Sequence, residues 1–86
     1  MDKDIIDSIH RDFKSEEVAL VINELSSITL KHVMAESEYN LRNTRLSILK
    51  LAKGDSSKVI ELTKCAKIDF RDVIMWAMEE EKKEKK

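Results

Sequence analysis

The chain has 86 residues, 42% hydrophobic and 38% charged, and its 16 basic and 17 acidic side chains leave a net charge of −1. That length makes one domain, the apolar share is too high for a disordered chain, and the balanced charge gives no bulk attraction to nucleic acid or an anionic membrane. One cysteine excludes an internal disulfide and a thiolate zinc site.

With one glycine and no proline, strands and tight turns lack their usual punctuation. The expected fold is all-α: a small bundle of four to five helices with a long central helix and a helical hairpin at the C-terminus. It spans residues 1–78 as one domain, with a charged, fraying helical tail at 79–86.

Asp2 to Phe13 reads as a short helix, with Ile5, Ile6, Ile9 and Phe13 on one stripe. Asp2 and Asp4 sit in its first turn, where negative charge suits the helix dipole. Ser15 is placed to cap a second helix, with Glu16 and Glu17 in the first turn. Val18, Val21, Ile22 and Leu25 form its stripe, Ile28 extends the edge, and Leu20 points away.

A new phase begins after Ser26-Ser27. Leu30, Val33, Met34, Leu41, Ile48, Leu51 and Ala52 share one face at helical spacing. This predicts one long helix from about Ile28 to Lys53, roughly 39 Å at 1.5 Å per residue. Such a rod outruns a domain whose radius of gyration should be about 12 Å. A second chain would have to cover it. The alternative is a break near Ser37–Asn40, where either residue can cap a fresh helix. The half that follows is apolar over a wide arc, so it is the central helix. Arg45 falls inside that arc and must reach out to solvent or meet a carboxylate.

Gly54 follows the apolar run and marks the helix stop, because glycine enters the left-handed conformation without penalty. Asp55, Ser56 and Ser57 can each cap the next helix, which carries Val59, Ile60, Leu62, Thr63, Cys65 and Ala66. A hinge is expected at Ile68-Asp69. Asp69 can cap the helix after it, with Asp72 in the position of a capping-box partner. Phe70, Val73, Ile74 and Ala77 make the last stripe, with Trp76 on its flank. In the tail, Glu79–Lys83 and Glu81–Lys85 are favourable i,i+4 pairs.

Few residues here carry chemistry. His10 and His32 are the only histidines; His32 and Glu36 share a face, but two ligands do not make a metal site. Cys65 lies on an apolar face and reads as a small buried hydrophobe. The serines fall at helix starts and the acids on exposed faces, without the nucleophile–base pairing that catalysis needs. The chain is therefore read as no enzyme, with no catalytic, metal or cofactor-binding residue and no cofactor.

Residues 58–77 offer one sharper alternative, a helix-turn-helix for DNA binding or transcription. Leu62, Ala66, Ile68, Val73 and Trp76 fall where that motif places apolar residues. Thr63 and Lys67 depart from its small residue and its turn glycine. Asp69 and Asp72 would repel phosphate at the start of the recognition helix.

The run from Ile48 to Asp55, followed by Ala66 to Val73, resembles a pattern near the C-terminus of some small uncharacterised bacterial all-helical proteins. The resemblance implies a bacterial, cytosolic helical domain and no activity. MDKDIIDSIHRD lacks the continuous apolar core of a signal peptide, and no apolar run approaches a membrane span. The expected location is the cytoplasm, without membrane or nucleic-acid partners. The expected function is protein–protein interaction, as a small bacterial accessory or immunity-type module that forms a homodimer or binds another protein. Leu46, Met75, Trp76 and Met78 are the interface candidates, and Arg45, Arg71 and Asp72 the candidate polar contacts.

Overall fold

A computed structural model describes residues 1–84. Four helices follow in order: α1 (Lys3–Asp12), α2 (Ser15–Ser26), α3 (Glu38–Ala52) and α4 (Ser56–Glu84). No strand occurs among the described residues. The fold is an all-α bundle.

α1 buries Ile5 and Ile9, and Phe13 is buried just past its end. Asp2 and Asp4 do more than complement the helix dipole. Both grip Arg42 of α3, at 2.6 and 2.9 Å from its Nη1. Only Phe13 and Lys14 separate α1 from α2. Ser15 is the first helical residue of α2, not its cap; Lys14 stands at the cap position with no side-chain bond. Val18, Val21, Leu25 and Ile28 enter the core, while Leu20 is exposed as its position implies.

The single long helix from Ile28 to Lys53 is not there. Its first third is irregular: Leu30–His32 and Met34–Glu36 are separate 3-10 turns. Thr29 and Val33 are extended, and Ala35 and Glu36 have left-handed φ values of 59° and 48°. Ser37 then caps α3, its Oγ accepting from the Asn40 N–H at 3.2 Å. The break therefore runs over residues 29–37, and of the two expected caps it is Ser37 that starts the fresh helix, with Asn40 inside it. Val33 is still buried and Leu30 still packs on the core. They do so from a loop, and periodicity alone cannot separate that from a helix stripe. The longest dimension of the molecule is 34 Å, shorter than the expected rod.

α3 is central as expected. It packs chiefly on α4 and also touches α1. Leu41, Ile48, Leu49 and Ala52 are buried, and so is Thr44, whose hydroxyl donates to the Asn40 carbonyl at 2.7 Å. The helix ends in two left-handed residues, Lys53 at φ 49° and Gly54 at φ 83°. Asp55 caps α4, its Oδ1 accepting from the Ser57 N–H at 3.0 Å and the Ser57 hydroxyl at 2.6 Å.

α4 bends at one residue. Asp69 has φ −154° and ψ 101°, outside the helical region. Its Oδ1 accepts from the Arg71 N–H at 3.1 Å, so it caps the second arm as expected. The return bond expected from Asp72 is not made; the Asp69 carboxylate instead also accepts from the Arg71 guanidinium. The first arm buries Val59, Thr63 and Ala66; the second buries Phe70, Val73 and Ala77. The second arm runs antiparallel to α3, because Lys53 meets Glu80 at 2.8 Å and Lys50 meets Glu84 at 3.4 Å. The expected tail is thus helical through Glu84 and held laterally to α3. The Glu81–Lys85 pair lies outside the described residues. No described helix is long and apolar enough to cross a membrane.

Candidate interaction surface

The bend at Asp69 and the two ion pairs to α3 fix the second arm of α4. Its inner face is filled by Phe70, Val73 and Ala77. Three large apolar side chains remain outside: Met75 is 48% exposed, Trp76 38% and Met78 56%. At about 100° per residue, Met75 and Met78 stand about 60° apart, and Trp76 and Met78 about 160° apart around the helix. The arm therefore presents two different flanks.

On one flank, Leu46, Ile74 and Met78 line a groove of about 250 Å³ between α3 and the arm, rimmed by Lys50 and Glu81. Met75 lies beside it on the outer face. On the other flank, Trp76 closes a groove of about 360 Å³ with Leu51, Leu62 and Cys65, rimmed by Lys58 and the Lys53–Glu80 pair. The four interface candidates are thus divided. Leu46 joins Met78, half-buried against the core, while Trp76 belongs elsewhere. Cys65 is half-buried and reaches the second groove, not the enclosed hydrophobe expected.

The polar candidates behave differently from expectation. Arg45 is half-buried and meets backbone carbonyls in place of a carboxylate. Its Nε donates to the Leu25 carbonyl at 3.1 Å and an Nη to the Ile28 carbonyl at 2.9 Å. It closes the C-terminal end of α2, whose last carbonyls lack helical partners. Burial pushes its pKa down, partly opposed by Asp2 and Glu38. Arg71 folds back on Asp69, with its Nε at 3.0 Å from Oδ1, and reaches no neighbouring helix. The Arg71 guanidinium and backbone amide hold the Asp69 carboxyl below its usual value. Asp72 is exposed and adds to the field on Arg71.

Several surface features escaped the sequence reading. Ile68 is 87% exposed at the bend, although a helix-turn-helix skeleton would place it and Trp76 inside. Its signal was its position just before a capping aspartate, at the outside of a corner. Met34 and Tyr39 are also exposed, at 59% and 71%. His32 does not join Glu36; its Nδ1 accepts from the Thr29 N–H at 3.0 Å. Among the described residues, no three His, Cys, Asp or Glu side chains gather as a metal site.

The geometry defines a small helical domain with an apolar, mixed-charge arm. Comparisons with protein-family models, curated proteins and solved structures return no match for the chain.

Proposed function

We propose that this chain is a non-enzymatic protein–protein interaction module that associates with itself through the Met75–Met78 flank of α4. α3 ends within the domain, so no overlong central helix calls for a second chain. One observation carries the reading: Met75 and Met78, three residues apart on the same side, are 48% and 56% exposed beside the Leu46 groove. Methionine adapts its shape to a partner, and an apolar patch on a charged surface favours contact. The groove rim carries both signs, Lys50 and Glu81, which suits a second copy of a nearly neutral chain. A bacterial, cytoplasmic accessory or immunity-type role remains part of the proposal.

The test is solution mass by light scattering, over a concentration series at two salt strengths. A dimer insensitive to salt is expected, reduced to monomer by Met75→Glu or Met78→Glu. A wild-type monomer at high micromolar concentration refutes self-association. Affinity for duplex DNA that falls steeply with salt would replace the reading with the helix-turn-helix one.

A further inference from the structure

We infer that the Thr29–His32 turn is a pH-sensitive latch on the strained segment between α2 and α3. A capping box joins Thr29 and His32, the Thr29 side chain to the His32 backbone and the His32 side chain back to the Thr29 backbone. Glutamate or glutamine usually supplies that return acceptor. Here it is the imidazole, its Nδ1 lying 3.0 Å from the Thr29 nitrogen. A backbone N–H can only donate, so Nδ1 is unprotonated and the ring proton sits on Nε2. Protonation turns Nδ1 into a donor facing the Thr29 N–H, so that bond is lost and the ring keeps only the Thr29 hydroxyl, 3.4 Å from Nδ1, as an acceptor on this turn.

A second, independent feature makes that loss consequential. Ala35 and Glu36 are consecutive non-glycine residues at φ 59° and 48°. Left-handed backbone is unfavourable for side chains with a Cβ, so the segment holds strain that its ends must restrain. At one end Ser37 and Asn40 anchor it: the Ser37 N–H and the Asn40 side-chain amide both donate to the Met34 carbonyl, at 3.3 and 3.4 Å. At the other end stands the Thr29–His32 box. Val33, buried between them, keeps the middle in place. Thr29, Leu30 and Lys31 form one wall of a depression of about 680 Å³ that also includes Ile28, Leu41 and Arg45.

Charged groups flank the His32 imidazole from its own turn and from α4. Lys31 sits on its own turn, and Asp69 and Arg71 share its depression from the bend of α4. Those two bond each other at 3.0 Å. Glu36 lies four residues on, in the next turn.

The experiment is an NMR titration from neutral pH to mild acid, on the wild type and on His32→Gln. Glutamine keeps an acceptor at this position and does not titrate. In the wild type the Thr29 amide resonance should move with the same midpoint as the His32 imidazole. Its exchange protection, corrected for intrinsic pH dependence, should fall about fivefold, the size of one cap bond. The Gln variant should show neither change. Three results overturn the inference: a ring proton on Nδ1 at neutral pH, a Thr29 amide fixed while the imidazole titrates, or a Gln variant that titrates as wild type does. The first two need no variant.

Discussion

Gly54→Ala tests the turn on which the two halves of the fold close. Gly54 has φ 83°, and a Cβ there would lie 2.9 Å from the backbone oxygen of Asp12. Two costs follow. An L-residue in left-handed backbone loses about 1–2 kcal/mol. The contact is with backbone at the end of α1, which cannot rotate away as a side-chain tip could, and forced overpacking adds about 1–3 kcal/mol. The sum is about 3 kcal/mol, or roughly a 15 °C fall in Tm for a domain of this size. Urea unfolding followed by circular dichroism reads it. Gly54→Asn separates the two costs, because asparagine tolerates left-handed backbone but still carries a Cβ. It should recover part of the loss and no more. An alanine variant as stable as wild type refutes the left-handed turn. An asparagine variant with full stability refutes the Asp12 contact.

Arg45→Met should cost about 2 kcal/mol, since two charged-donor bonds vanish, partly offset by water reaching the Leu25 and Ile28 carbonyls; Arg45→Lys should recover little, and urea midpoints near wild type would show that the guanidinium is idle. Ser37→Ala removes the cap of α3 and should cost about 1 kcal/mol, or about 4–8 °C in Tm; no change would mean that the helix starts elsewhere. The chain should also weaken in acid. Asp4 beside Arg42, Asp55 beside Ser57 and Asp69 beside Arg71 all sit below the ordinary value of 3.8, and Glu80 beside Lys53 below 4.5. The unfolded chain takes up these protons first, so the stabilisation is whole above those ordinary values and drains as pH falls through the lowered ones. In the His32→Gln background, the urea midpoint should hold down to about pH 5 and fall below about pH 4; a midpoint that rises in acid refutes the pairings.

Legibility followed the range of each interaction. Asp55, Asp69 and Gly54 were readable because a cap bond spans two or three residues and a left-handed stop is a property of one. The central rod was misjudged because Met34, Leu41 and Ile48 are seven residues apart, a spacing that keeps helical phase across a break. Ser37 carried the contrary signal, a capping residue inside the stripe. Arg45 and Arg42 were beyond local reading: their partners lie 17 to 40 residues away in sequence. In the candidate surface, the exposure of Met75 and Met78 followed from their place off the stripe. The separation of Trp76 from them needed the position of α3.

That separation constrains any complex the arm forms. One partner helix laid along the Met75–Met78 flank cannot also cover Trp76, about 100° from Met75 and 160° from Met78 around α4. Trp76 faces the other arm of α4 and is the most covered of the three. Charge at Met78 should therefore break association while the Trp76 emission stays that of the native protein. If Trp76→Glu abolishes association as fully as Met78→Glu does, the shared cause is the arm itself. It would then have left α3, with the Lys53–Glu80 and Lys50–Glu84 pairs broken. Helix content measured on the two variants distinguishes a lost contact from a lost arm.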